Sequence, residues 1–202
     1  MVTKITTKGA WHGEGDLTTL EALHATLSYP LSHLHSPDLK KEEEEIFQHY
    51  VNWQLFNNHR FSTHPNEGKE FYDVPDVMYF DLMGFIPRGG FDNHFDIIGP
   101  YFAKSKIAYK DMEIIAVSKD FGYCTMEQHY WGTTTDGKDF DFTFRISSNL
   151  RKRDNKWKWV HEHVSFPVNI ATRIADFTCS QHASEHLKMK NEDNIKIDKK
   201  AI

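Results

Sequence analysis

The chain has 202 residues, of which 39% are hydrophobic and 26% are charged, and this composition is typical of one folded domain with a single core. The formal net charge of -5 argues against a protein that binds nucleic acid or an anionic membrane, because such proteins usually carry a basic surface. Aromatic residues make up 14% of the chain and histidine occurs 13 times, and both residue types can line a pocket.

The two cysteines, Cys124 and Cys179, are too few for a disulfide framework, which favours a reducing compartment and predicts a cytoplasmic protein. The longest apolar run, residues 112–117, contains Glu113 and is too short to cross a bilayer. The N-terminus lacks the apolar stretch of a secretory signal. We therefore expect neither a membrane segment nor a membrane partner.

The first part of the chain carries helical patterns. Leucines at helical spacing predict a short helix over residues 17–27, with Asp16 as its N-cap. A Ser-Pro pair at residues 36–37 predicts the start of a longer helix, since serine caps and proline fits the first helical turn. Apolar residues at 46–56 fall on more than one face, so this helix should be enclosed by other elements. Residues 57–74 are predicted to be an irregular connection.

The second part of the chain carries strand patterns. A short strand is predicted at residues 76–81, followed by a turn-rich loop and a helix over 91–104 that the Gly99-Pro100 pair must kink or end. Two-residue turns are predicted at Asp136-Gly137 and Asp154-Asn155. Four further strands are predicted, at residues 109–119, 121–134, 139–153 and 156–168. Helices followed by such a meander predict an α+β domain, in which a curved antiparallel sheet wraps around the N-terminal helices.

Strand alternation predicts which side chains share a face. In the strand at 139–153, one face carries Phe140, Phe142 and Phe144, and the opposite face carries polar residues that include Arg145. Simple alternation along the last strand places Trp159, His161 and His163 on one face and Glu162 on the other. Because a polar sheet face usually meets water, Arg145 has an ordinary interpretation as a solvent-exposed residue.

Three segments resemble the SnoaL-like and ketosteroid-isomerase-like families of the nuclear transport factor 2-like superfamily. They are IFQHYVNW at 46–53, VMYFDLM at 77–83 and LRKRDNKWKWVHEHVSFPV at 150–168. The resemblance implies a cone-shaped sheet that encloses an apolar pocket, in a SnoaL-like domain over 36–170. It leaves an N-terminal extension with a short helix at 1–35 and a charged tail at 171–202. Family members include isomerases, cyclases, dehydratases, epoxide hydrolases and non-catalytic binding proteins.

The resemblance also implies candidate catalytic residues. Asp81 stands at the end of the apolar strand where these families place a general base, although it could equally cap the turn before Gly84. Tyr50 matches the helix tyrosine that donates to an oxyanion in the steroid isomerases, although a core aromatic is the ordinary alternative. Those enzymes carry a protonated aspartate on a later strand, where this chain has Ser147, Ser148 and Asn149 instead.

Other polar residues are candidates from their positions alone. His161 and His163 are two residues apart and could act as acid or base, and Arg145 could orient a carbonyl or anionic substrate. Glu127 and His129 could complete a metal site with the histidine pair, but no metal-binding spacing occurs, so no metal is predicted. His94 and Asp96 are further, weaker candidates. No phosphate loop, nucleophile elbow or dinucleotide motif is present, so no cofactor is predicted.

These observations predict a cofactor-independent isomerase or lyase, of dehydratase or cyclase type, that acts on a small apolar carbonyl compound. In this hypothesis Asp81 takes a proton, and Tyr50 with His163 or Arg145 stabilises the enolate. The alternative is a non-catalytic module of the same fold that binds a small ligand or dimerises. A homodimer is expected from the resemblance, with the Phe140, Phe142 and Phe144 row as a suitable outer surface.

Overall fold

The computed structural model describes residues 7–170 and 172–180. Its helices are α1 (Leu20–His24), α2 (Lys40–His59) and α3 (His94–Ile98), with short 3-10 segments at Pro37–Leu39, Pro65–Phe71 and Gly99–Tyr101. Its strands are β1 (Met78–Asp81), β2 (Gly84–Ile86), β3 (Phe102–Ala116), β4 (Phe121–Thr134), β5 (Asp139–Arg153), β6 (Lys156–Ser165), β7 (Val168–Asn169) and β8 (Ile174–Ala175). No helix in this part of the chain is long and apolar enough to cross a membrane.

Six strands form one curved sheet in the order β2-β1-β6-β5-β4-β3. The predicted α+β cone is confirmed, and the long β3–β6 meander is antiparallel throughout. One pair differs from the expectation of a wholly antiparallel sheet, because β1 runs parallel to β6. This pairing places Tyr79 beside Glu162 and brings the end of β1 to the open side of the cone.

The long helix α2 lies across the concave face of this sheet. Ser36 accepts a hydrogen bond from the Asp38 backbone N–H, and Pro37 begins a 3-10 turn that leads into the helix. Ile46, Phe47 and Tyr50 are buried, as are residues elsewhere around the helix. The predicted enclosure of this helix is confirmed, and its contacts with β3 and β6 form the centre of the core.

The N-terminal segment covers the free edge of β3. His12 and Tyr109 exchange backbone hydrogen bonds of 2.7 and 3.0 Å, and Gln54 Nε2 donates to the carbonyl oxygens of His12 and Ile107. The first helix is shorter than predicted because Thr19, rather than Asp16, caps it. An unpaired strand edge is a site of aggregation, so this segment protects the edge of the sheet.

His35 fastens the same segment to the rest of the domain. Its Nδ1 lies 2.8 Å from Glu43 Oε1 on α2, and its Nε2 lies 3.2 Å from Glu113 Oε1 on β3. Both carboxylates are largely buried, and Glu113 also accepts a hydrogen bond from the Ser32 backbone N–H. The His35 ring therefore bridges two largely buried carboxylates from different elements.

Replacing His35 by alanine is expected to lower the free energy of unfolding by about 3 kcal/mol, because two buried carboxylates lose the ring that lies between them. Urea denaturation followed by tryptophan fluorescence measures this loss. His33→Ala is the matched control, since His33 is exposed and a change near zero is expected there. Equal effects of the two substitutions would contradict the bridging role of His35.

The segment after β6 continues along the sheet. The Thr143 backbone N–H donates to the Phe177 carbonyl oxygen at 2.7 Å, and β7 and β8 form a small hairpin before it. The last long strand therefore ends at Ser165, not at residue 168 as predicted. Within the expected tail, Phe177 and Cys179 contact Thr143 of β5, whereas residues 171 and 181–202 are outside the described residues.

A β-bulge in β6 decides which side chains reach the inside of the cone. Asn149 pairs with His161 and Leu150 pairs with Trp159, so Val160 is an extra residue in the strand. Trp159 is buried on the concave side, and after the bulge Glu162 returns to that side. The alternation of the strand is thereby shifted by one residue, which moves His161 and His163 to the convex side.

The segment between α3 and β3 also departs from its prediction. The expected helix over 91–104 is broken into α3 and a 3-10 turn at Gly99–Tyr101, and β3 starts at Phe102. The Gly99-Pro100 pair therefore ends the helix. The predicted irregular connection at 57–74 begins inside the last turn of α2 and contains a 3-10 helix at Pro65–Phe71.

Candidate functional site

An aromatic cavity of about 200 Å³ lies between the concave face of the sheet, α2 and α3. Met83 is 65% exposed and marks its opening. Of the described residues that line the cavity, none is lysine or arginine. The lining consists of Trp53, Asn57, Phe61, Tyr72, Tyr79, Asp81, Leu82, Met83, His94, Phe95, Ile98, Phe102, Gln128, Tyr130, Phe142, Phe144 and Val164.

Asp81 is the one carboxylate in this lining. It is the last residue of β1, and its Oδ1 accepts a 2.8 Å hydrogen bond from the Leu82 backbone N–H. Burial raises the pKa of Asp81, and hydrogen bonding from Leu82, Met83 and Tyr79 only partly opposes that effect. A carboxylate with a raised pKa is a stronger base than an ordinary surface aspartate.

The other polar groups in the lining are neutral donors and acceptors. Burial lowers the pKa of His94 to about 4, so its imidazole is uncharged near neutral pH. The other described lining residues with neutral hydrogen-bonding groups are Trp53, Asn57, Tyr72, Tyr79, Gln128 and Tyr130. The cavity can thus hydrogen-bond a neutral oxygen-containing molecule, but it offers no cation to an anionic one.

A second carboxylate, Glu162, lies behind the cavity wall and was missed by the sequence interpretation. It is 3% exposed, and its oxygens accept hydrogen bonds from Tyr72 Oη at 2.8 Å and from Ser148 Oγ at 2.7 Å. Burial, with a smaller contribution from the charge of Asp81, raises the pKa of Glu162 to about 7. Its sequence position between two histidines carried no signal, because alternation without the bulge placed it on the opposite face.

Tyr50 belongs to the core and is absent from the cavity lining. Its ring is 1% exposed, and its hydroxyl accepts a 3.1 Å hydrogen bond from Trp159 Nε1. Burial raises the pKa of Tyr50 well above its ordinary value. The structure therefore does not bring Tyr50 and Asp81 to one surface, and Tyr72 and Tyr79 are the tyrosines that line the cavity with Asp81.

Arg145, His161 and His163 lie on the convex face, away from the cavity. Arg145 is exposed and donates to Ser165 Oγ and the Phe166 carbonyl oxygen at 3.4 and 3.3 Å. His161 Nδ1 lies 2.9 Å from the Met78 carbonyl oxygen. The expectation that these residues share a pocket with Asp81 is therefore wrong. Arg145 points outward because it alternates with the inward-facing Phe144 on β5, and the bulge at Val160 turns both histidines outward.

The predicted faces of β5 are also corrected. Phe142 and Phe144 line the cavity, and the Phe140 ring lies 5.4 Å from that of Phe102. The phenylalanine row is therefore the inner wall and not an outer dimerisation surface. A homodimer stays a prediction, with a contact face other than this row.

The convex face has its own open cleft of about 250 Å³. Its two arginines, Arg88 and Arg151, both lie close to Asp76, at 3.0 and 3.8 Å. The cleft also contains His161, Val160 and Asn149 at the bulge. In residues 7–170 and 172–180, no group of three or more His, Cys, Asp or Glu side chains is arranged to hold a metal ion.

The sequence profile of the SnoaL-like domain matches residues 76–169, which run from the start of β1 to the end of β7. Residues 76–169 are therefore similar to a SnoaL-like domain. The matched residues include Asp81, Glu162 and the cavity-lining residues of β3 to β6. No curated protein matches the sequence.

Solved structures share the fold of this domain at low sequence identity. A nuclear transport factor 2-like protein from Salmonella enterica serovar Typhimurium has a TM-score of 0.55 and 20% identity, over 64% of this chain and 93% of that one. A candidate scytalone dehydratase from Novosphingobium aromaticivorans has a TM-score of 0.57 and 15% identity, over 73% and 99%. A hexachlorocyclohexane dehydrochlorinase, LinA type 2, has a TM-score of 0.52 and 13% identity, over 63% and 86%.

Proposed function

We propose that this domain is a cofactor-independent isomerase or lyase that acts on a small, neutral, largely apolar carbonyl compound. Asp81 carries this proposal, because it is a partly buried carboxylate with a raised pKa in an otherwise uncharged aromatic cavity. A general base works best when its pKa lies near the working pH, and burial raises the pKa of Asp81 in that direction. The fold shared with a candidate dehydratase and a dehydrochlorinase supports the same class of reaction.

The reaction begins with proton transfer from carbon to oxygen. The ionised Asp81 carboxylate removes a proton from the carbon next to the carbonyl group, and the C–H electron pair forms a C=C bond as the carbonyl π pair moves to oxygen. Donors in the cavity wall stabilise the resulting enolate. Protonated Asp81 then returns the proton to another carbon, which is isomerisation, or to a departing hydroxyl group on the β-carbon, which is dehydration.

The cavity limits the substrate by size and by charge. Its volume of about 200 Å³ is smaller than most drug-binding pockets, which favours a compact molecule with one ring. Binding a carboxylate or phosphate there would bury that anion beside Asp81 without a cation in the described lining, which is strongly unfavourable. Aromatic walls instead favour an apolar or aromatic skeleton.

Hydrogen exchange tests this proposal without knowledge of the natural substrate. The purified protein is incubated in D₂O with a panel of small neutral ketones, and deuterium incorporation next to the carbonyl is followed by proton NMR. We expect at least one ketone to exchange faster than in buffer, because base-catalysed enolisation is the first step of both reactions. Saturable binding of these ketones without any exchange would favour the non-catalytic ligand-binding module instead.

A further inference from the structure

A chain of buried hydrogen bonds leads from the core to the cavity wall. It starts at Trp159, whose indole N–H donates to the Tyr50 hydroxyl at 3.1 Å. The Tyr50 side chain also hydrogen-bonds Ser148, and Ser148 Oγ lies 2.7 Å from Glu162 Oε1. Glu162 Oε2 lies 2.8 Å from the hydroxyl of Tyr72, which lines the cavity.

The first groups in this chain have only one direction of donation. An indole N–H is a donor and never an acceptor, so the Tyr50 oxygen accepts from Trp159. The Tyr50 O–H is left to donate to Ser148 or to Cys124. The Ser148 hydroxyl donates a hydrogen bond to Glu162 Oε1. The remaining oxygen, Oε2, has two possible states, because a glutamate accepts there when it is ionised and donates when it is protonated.

These two states give Tyr72 opposite roles in the cavity. Beside an ionised Glu162, the Tyr72 O–H is held by the carboxylate, and only its oxygen lone pairs are free for a ligand. When Glu162 is neutral and its proton is on Oε2, Glu162 donates a hydrogen bond to the Tyr72 oxygen. The Tyr72 O–H is then free to point at a ligand oxygen.

We propose that Glu162 is a positioning residue whose proton sets Tyr72 as a hydrogen-bond donor to the substrate carbonyl oxygen. The proposal rests on the function proposed above and specifies its ligand chemistry. With Glu162 neutral the cavity favours a carbonyl or enolate oxygen, and with Glu162 ionised it loses that preference. Tyr72 thus takes the place that the sequence interpretation gave to Tyr50.

The environment of Glu162 determines the pH range of this switch. Burial raises the pKa of Glu162 to about 7, so the donor state of Tyr72 is present below that pH and is lost above it. The charge of Asp81 contributes to the rise, because ionising Glu162 beside it is unfavourable. The titratable groups that act on Glu162 from the surrounding elements are Tyr50, Tyr72, Tyr79, Asp81, Tyr109 and Cys124.

The phenols and the thiol among these groups stay uncharged near neutral pH, which leaves the two carboxyl groups, Asp81 and Glu162. Burial raises the pKa of the Tyr50, Tyr72, Tyr79 and Tyr109 phenols well above their ordinary value and raises the pKa of the Cys124 thiol. A pH transition in the donor state of Tyr72 therefore reports on Glu162, with Asp81 as the one coupled group.

Infrared spectroscopy tests the switch in the ligand-free protein. We expect the C=O band of a buried carboxylic acid in the wild type to disappear as the pH rises through about 7 and to be absent from Glu162→Gln. In Asp81→Asn the same transition should move to lower pH, because the neighbouring charge is removed. A Glu162 that is ionised throughout pH 5.5 to 8.5 would overturn the proposal, whatever the activity of the protein.

Ligand binding gives a second, independent test that needs no turnover. Acetophenone and 1-phenylethanol share one skeleton, but only the alcohol can donate a hydrogen bond. Acetophenone affinity, measured by tryptophan fluorescence, should fall about fivefold above pH 7, which corresponds to one hydrogen bond, while 1-phenylethanol affinity changes less. The Asp81→Asn background should retain this contrast, so a lack of catalysis does not affect the result.

Substitutions at both ends of the contact complete the test. In Glu162→Gln the amide accepts a hydrogen bond from Ser148 and donates one to Tyr72, as a neutral glutamate would. This variant should therefore bind acetophenone at every pH as tightly as the wild type does at low pH. Tyr72→Phe lacks the hydroxyl and should bind acetophenone at every pH as weakly as the wild type does above pH 7. If Glu162→Gln keeps the pH dependence, or if the wild type binds both ligands independently of pH, the proposal is wrong.

Discussion

Replacing Asp81 by asparagine is expected to lower the rate of deuterium exchange about a thousandfold, within the range that a positioned general base contributes. Asparagine has nearly the same size, and its oxygen can still accept the hydrogen bond that Leu82 donates to Asp81. The amide cannot take up a proton, so the base is removed while the cavity is retained. Initial exchange rates of the variant and the wild type, measured on the same ketone by NMR, give the effect.

The matched control is Asp141→Asn on β5. Asp141 is also an aspartate on a strand, but its side chain is 74% exposed on the convex face, beside His129. Its substitution should leave the exchange rate within about twofold of the wild type. A thousandfold loss in both variants, or more than a tenth of wild-type activity in Asp81→Asn, would contradict a base role for Asp81.

Stability separates this loss of function from unfolding. Burial raises the pKa of Asp81 in the folded state, so its ionisation disfavours the folded state once the pH is above both the unfolded and folded pKa values. Below the unfolded value the carboxyl group is neutral in both states, and the penalty is absent. Asp81→Asn should therefore unfold at neutral pH no more easily than the wild type.

The sequence predicts the central strands well, for a clear physical reason. The predicted bounds of β4 and β5 are confirmed at every end, because both strands alternate in polarity and meet short Gly- or Asn-containing turns. Their faces were harder to assign, since both sides of a cone carry apolar residues. Phe142 and Phe144 face the cavity, which only the curvature of the sheet makes the inside.

Asp81 was reached from the sequence because it stands at a strand end, whereas the other site residues depend on pairing. The bulge at Val160 has no glycine or proline to mark it, and it reverses the faces of every later residue in β6. Because of this one extra residue, Glu162 faces the concave side of the sheet in place of His161 and His163. The parallel pairing of β1 with β6 is likewise set by distant contacts and not by local pattern.

The two buried carboxylates divide their roles through their surroundings. Asp81 lines the cavity and accepts backbone hydrogen bonds that favour its charged form. Glu162 lies deeper, and burial raises its pKa to about 7. Neighbouring carboxylates cannot both ionise easily, so the environment favours an ionised Asp81 together with a neutral Glu162. In the proposed function, Asp81 is therefore the base that lines the cavity, and Glu162 supports Tyr72 from behind it.

Trp159 is the residue whose loss should most destabilise the domain. It is 1% exposed, and its ring centroid lies 4.2 Å from that of His49, 4.8 Å from Tyr72 and 5.2 Å from Trp53. Trp159→Ala is expected to reduce the free energy of unfolding by about 4 kcal/mol, since it leaves a large cavity and removes the donor to Tyr50. Equilibrium urea denaturation followed by circular dichroism measures the loss.

Trp11→Ala is the matched control, because Trp11 is 37% exposed and its ring lies against His129 and Lys110 on the convex side. A loss of about 1 kcal/mol is expected there. Trp159→Phe should fall between the two, since phenylalanine refills most of the space but leaves the Tyr50 oxygen without its donor. If Trp159→Ala costs no more than Trp11→Ala, then α2 and β6 are held together by contacts other than this aromatic centre.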